Sequence, residues 1–81
     1  MRTYIYRYYR GKQDPNGNPR HWVDVYRVKR NDPELVMATY PVEYLGERGA
    51  VRRVIALTEN KSVDQVKKDE RNNKIRVVAI G

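Results

Sequence analysis

One histidine, one serine and no cysteine leave this 81-residue chain with little of the side-chain chemistry that hydrolysis, group transfer or metal binding needs. Ser62 opens Ser62-Val63-Asp64-Gln65, which has the spacing of a capping box, so a helix cap explains it better than a nucleophile. His21 precedes Trp22 in a strand-like stretch and reads as a surface or half-buried residue. A zinc site would have to gather several carboxylates around that single imidazole, and no spacing suggests it. Gly46-Glu47-Arg48-Gly49 lacks both the Lys-Ser/Thr of a phosphate loop and the glycine spacing of a dinucleotide site. Some small toxin-type ribonucleases work with Tyr, Arg, Lys and a carboxylate, but every basic β-protein carries those residue types. No catalytic residue, metal or cofactor is therefore expected.

What remains is arginine and tyrosine. The net charge is +7, and its distribution is uneven. Residues 1–30 hold eight cations (Arg2, Arg7, Arg10, Lys12, Arg20, Arg27, Lys29 and Arg30) against two acids, Asp14 and Asp24. The rest of the chain is nearly balanced. A local excess of one sign is an electrostatic footprint for a polyanion, although small proteins also use net charge for solubility. Arginine meets phosphate through a planar fork of donors. Tyr and Trp rings offer stacking surfaces, and a phenol can bond phosphate or sugar. On this reading Arg2, Arg7, Arg10, Arg20, Arg27, Lys29 and Arg30 contact phosphates, Lys12 belongs to the same binding surface, and the exposed members of Tyr6, Tyr8, Tyr9, Trp22 and Tyr26 stack or bond to sugars. Tyr, Trp and Arg also dominate protein interfaces, which keeps a protein-binding module or inhibitor as the alternative.

These groups need strands to position them. Arg2–Arg10 is Tyr-rich with Ile and Thr, and strand alternation sends Arg2, Tyr4, Tyr6, Tyr8 and Arg10 to one face and Thr3, Ile5, Arg7 and Tyr9 to the other. Without any Phe, some of the seven tyrosines must supply the core, and the even face is the candidate. Asp-Pro, Asn-Gly and Asn-Pro in succession predict a long exposed loop over 11–19. Residues 20–30 form the second strand, with Trp22, Asp24, Tyr26 and Val28 on one face and His21, Val23, Val25 and Arg27 on the other. Asn31-Asp32-Pro33-Glu34 predicts a tight turn, and Leu35–Tyr40 a third strand.

Beyond Pro41, Ala50, Val51, Val54, Ile55 and Thr58 recur at helical spacing and predict an amphipathic helix over about 47–59, with a strand at 51–58 as the alternative. Gly46 and Gly49 weaken its beginning. A short, loosely held helix should start at Ser62 and stop near Asn72-Asn73. Val77-Val78-Ala79-Ile80, apolar on both faces, suits an interior strand. The expected fold is α+β: a small antiparallel sheet, made of an N-terminal three-stranded meander plus a C-terminal strand, with one main helix packed on it. The length suits a single domain spanning 1–81.

The opening Tyr4-Ile5-Tyr6 is similar to the Tyr-bearing hairpin of GIY-YIG nucleases. The second strand, His21-Trp22-Val23-Asp24-Val25, has no Tyr-Ile-Gly, and no matching catalytic Arg and Glu can be assigned. A three-stranded meander followed by a helix resembles, in topology, the small sheet domains by which some phage integrases and plant transcription factors read DNA. The expectation is a non-catalytic protein that binds nucleic acid, DNA or RNA, through its basic N-terminal hairpin, of viral or mobile-element type. With neither a signal-peptide pattern nor an apolar run of spanning length, the cytosol is its expected location and no membrane is a partner.

Overall fold

Alternating tyrosines at one end and β-branched residues at the other build a four-stranded sheet, and the two helices between them close one of its faces. In the computed structural model the order is β1 (Arg2–Gln13), β2 (Pro19–Lys29), β3 (Asp32–Pro41), α1 (Gly46–Glu59), α2 (Val63–Arg71) and β4 (Ile75–Ala79). The structure describes residues 1–13, 15–17, 19–30, 32–41 and 46–80, with the backbone alone at 12, 13, 19, 20, 32 and 35–41.

The strands lie in the order β3-β2-β1-β4. The meander is antiparallel, with Tyr6 opposite Val25 and Val25 opposite Met37. β4 pairs parallel with β1, Arg2 opposite Ile75 and Tyr6 opposite Ala79, so the sheet is mixed. The strands run further than turn chemistry predicts. β1 continues to Gln13 and β2 begins at Pro19, which shortens the expected 11–19 loop. β3 begins at Asp32, inside the expected turn, and Pro33 pairs with Val28. Proline is tolerated there because β3 is an edge strand. The interior place expected for Val77–Ile80 is corrected: β4 is the opposite edge. Its two apolar faces reflect a helix on one side and β1's Ile5, opposite Val78, on the other.

Parity decides the core. Tyr4 and Tyr6 from β1, Val23 and Val25 from β2, and Ile75 from β4 are buried against Ala50, Val51, Val54, Ile55 and Ala56 of α1 and Val66 of α2. The even tyrosines thus take the place of phenylalanine. Residues 50–58 are helical, and Thr58 is exposed, its hydroxyl donating to the Val54 carbonyl at 2.8 Å.

The nine residues of α2 are too few for an isolated helix to persist in water. Three devices hold it more firmly than its composition suggests. Val66 is fully buried, a contribution of about 1.5–3 kcal/mol. Ser62 Oγ accepts the Gln65 N–H at 3.1 Å. Asn73, at φ 59°, closes the helix as the Lys74 N–H reaches back to the Asp69 carbonyl at 2.8 Å. Asn60, at φ 54°, ends α1 the same way, with the Lys61 N–H on the Ala56 carbonyl at 2.9 Å.

A charged cluster ties β1 to both helices. Arg2 Nε donates to Glu59 at 2.8 Å, and the buried Tyr4 hydroxyl donates to the same carboxylate at 2.6 Å. Lys61 bridges Glu59 at 3.0 Å and Asp69 at 2.8 Å, and Gln65 Nε2 donates to Asp69 at 3.0 Å. Burial opposes the Glu59 charge, but the donors Arg2, Tyr4 and Lys61 outweigh it and hold the carboxyl below its usual range. Hydrogen bonds from Lys61 and Gln65 lower Asp69 likewise. Burial, then the bond to Glu59, pushes the Tyr4 phenol up. No helix among the described residues is long and apolar enough to cross a membrane.

Candidate nucleic-acid interface

The sheet has a second face, and neither helix covers it. Cross-strand partners share a face, so the pairings Ile5–Tyr26, Arg7–Asp24 and Tyr9–Trp22 put all six side chains there. The parallel pairings Thr3–Arg76 and Ile5–Val78 extend that face across β4. Arg7 and Arg76 are exposed, and Tyr9, Trp22 and Tyr26 are half-buried.

The aromatic groups organise one another. The Tyr9 and Trp22 rings stack with centroids 5.3 Å apart and planes 15° from parallel. The indole runs on over Gly11, where a Cβ would lie 2.6 Å from Trp22 Cη2 and closer still to Cζ3. Glycine is therefore required at position 11 by the ring above it. Tyr26 lies on the same face, close enough to Tyr9 and Asp24 to feel their charges. Burial against these side chains, with Tyr9 and Asp24 adding to it, raises the Tyr26 phenol, while Arg7 acts in the opposite sense.

Asp24 sits in the middle of this group. Its Oδ1 is covered and has no hydrogen-bond partner among the described residues. Burial raises its carboxyl pKa, and the charge of Arg7 across the strand only partly offsets the rise. An acceptor held without a donor is costly, by about 1–3 kcal/mol in general, and tends to persist where function uses it.

The structure divides the candidate cations rather than gathering them. Arg7, Trp22 and Tyr26 share the uncovered face. Arg2 is committed to Glu59 and, at 3.6 Å, to Asp69, inside the charged cluster. Arg10, Arg27 and Lys29 belong to the opposite face by their pairing with His21, Tyr4 and Asp32. Arg27 is half-buried there, and Lys29 lies 3.8 Å from Glu34 with both groups exposed. Arg30 is exposed in the β2–β3 turn at φ 50°. The Lys12 and Arg20 side chains lie outside the described residues. Among the candidate stacking rings, Tyr6 belongs to the core, with Arg48 over its ring at 5.7 Å. Tyr8 emerges past the helices on the covered face, stacked on and hydrogen-bonded to His21.

Two members of the uncovered face escape a reading of residues 1–30 alone. Asp24 becomes notable only once the β1–β2 register sets it opposite Arg7. Arg76 reaches the face because β4 docks beside β1; the alternation of Arg76 between Ile75 and Val77 was its only signal. Among the described residues, no group of acidic and histidine side chains could hold a metal ion. Comparison with known proteins gives no match: no family model, no curated protein and no solved structure resembles this chain.

Proposed function

We propose that this protein binds single-stranded nucleic acid, DNA or RNA, without catalysis, through the uncovered face of its sheet, and that it does so in the cytosol. The observation that supports this most is the aromatic trio Tyr9, Trp22 and Tyr26 on a face left free of helices, flanked by Arg7 and Arg76. Half-buried rings on a sheet give unstacked bases a surface, and the flanking guanidinium groups meet the phosphates between them. The net charge of +7 favours encounter with a polyanion.

Trp22 is the only tryptophan, so its emission reports directly on this face. Titration with single-stranded oligonucleotides should quench it. Affinity should fall with salt by a log–log slope of about −0.7 per phosphate contacted. Arg7→Ala and Arg76→Ala should each flatten that slope, while Arg53→Ala, an exposed cation on α1, leaves it unchanged. Failure to bind any single strand at low salt would end this reading.

A protein partner is the second reading, and the β4 edge favours it. That strand borders a shallow depression of about 470 Å³ lined in part by Arg48, Glu70, Ile75 and Val77. An extended peptide could add to the sheet there. A partner retained from lysate after nuclease treatment, and lost on Val77→Pro, would support it.

A further inference from the structure

The acidic residue within a basic, aromatic surface calls for its own account. Asp24 is flanked by Arg7, Tyr9, Trp22 and Tyr26, yet Oδ1 takes a hydrogen bond from none of them. Simple phosphate binding gains nothing from a carboxylate there and loses affinity by repulsion. An ionised carboxylate is purely an acceptor, with two oxygens side by side. Its complement is a planar group with two adjacent donors.

Among the standard bases of DNA and RNA, guanine alone presents two neighbouring donors, N1–H and the N2 amine, on its Watson–Crick edge. Adenine and cytosine each set one donor beside an acceptor. Uracil and thymine set one donor between two acceptors. We infer that Asp24 makes the uncovered sheet face selective for guanine in single-stranded nucleic acid, its carboxylate receiving the N1–H and N2 amine while an aromatic neighbour stacks on the ring. This inference rests on the proposed nucleic-acid function and adds to it the identity of the base. The side chains that now close off Oδ1 are displaced by the incoming ring, which supplies the donor they do not. Arg7, across the strand from Asp24, stands where the adjoining phosphate falls. The Watson–Crick edge is open only in unpaired strands, which agrees with a stacking surface.

Equal-length oligouridylates carrying a single central guanine, inosine or adenine separate the possibilities, read by Trp22 emission. The guanine strand should bind about 10-fold tighter than the adenine strand, and inosine, which lacks the N2 amine, should fall between them. Asp24→Asn replaces one acceptor by a donor and should erase the guanine preference or turn it toward adenine. Its salt slope should stay that of the wild type, and far-ultraviolet circular dichroism checks its fold. Equal binding of the three strands by the wild-type protein, or a guanine preference that survives in Asp24→Asn, overturns the inference and leaves the nucleic-acid function standing. Absence of binding to all three strands at low salt overturns both.

Discussion

Gly11→Ala tests how firmly the aromatic face is built. In an ordinary strand this change is favourable, because alanine loses less backbone freedom than glycine on folding, a gain of about 0.5–1 kcal/mol. Here the new Cβ would lie 2.6 Å from Trp22 Cη2 and nearer still to Cζ3. The indole must retreat by about 1 Å to recover an ordinary van der Waals contact. That movement separates it from Tyr9, and a stacked pair is worth about 0.5–1.5 kcal/mol beyond its buried area. Overpacking of this kind costs about 1–3 kcal/mol in total. The variant should therefore unfold at lower urea, with Trp22 emission shifted to the red in the folded state. Each kcal/mol corresponds to about 4–8 °C in Tm for a domain of this size. The decisive control is the same change in a Trp22→Leu background, followed by circular dichroism. With the ring gone, Gly11→Ala should become neutral or stabilising. A loss of stability of equal size in both backgrounds would show that the backbone at Gly11, not the indole, sets the cost.

Three further outcomes follow from the charged cluster and the helix caps. Tyr4→Phe should cost about 1.5–3 kcal/mol in urea denaturation, since it removes a buried hydrogen bond to a carboxylate; an unchanged midpoint would mean that bond contributes nothing. Glu59 and Asp69 are both held below the ordinary values of 4.5 and 3.8, so the stability they contribute is complete above about pH 4.5 and is lost as pH falls through their lowered folded values. Asp24, raised by burial, works in the opposite sense and offsets part of that loss. Tm should thus decline as pH falls below about 4.5, and less steeply in Glu59→Gln; identical slopes in the two proteins would place the acid sensitivity elsewhere. Ser62→Ala should cost about 1 kcal/mol, and Ser62→Asp should restore most of it by accepting the same N–H at the positive end of α2. Equal stability of all three proteins would show that the cap is not what holds α2.

The meander and both helices were legible because local patterns state them. Alternation fixed the faces of β1 and β2, including Trp22, Asp24 and Tyr26 together on one side. Apolar residues at helical spacing marked α1, and Ser62 and Asn72-Asn73 bracketed α2. Where reasoning from local chemistry failed, a distant partner decided. Proline and glycine near 11–19 and 31–34 spoke for loops, but pairing with β2 extended both flanking strands. β4 read as an interior strand because its apolar faces do not reveal which neighbour is missing. The charge of the first 30 residues suggested one basic patch, whereas strand parity sends Arg7 to one face and Arg10, Arg27 and Lys29 to the other. Arg2 was counted as free because Glu59 and Asp69, which hold it, lie more than fifty residues away. The sense of the uncovered face emerged only from register: Asp24 acquires its meaning beside Arg7, Tyr9 and Tyr26.

The parallel pairing of β1 with β4 carries a consequence for the order in which the molecule is made. β1 leaves the ribosome before the helices and β4, yet it occupies the middle of the finished sheet. Its hairpin with β2 can zip up early, since that contact spans few residues. Tyr4 and Tyr6 then wait in water until α1 arrives, and one edge of β1 stays unpaired until Ile75–Ala79 has been synthesised. The nascent chain therefore passes through a stage with a sticky strand edge and two bare phenols. The positive charge concentrated in residues 1–30 makes such half-made chains repel one another.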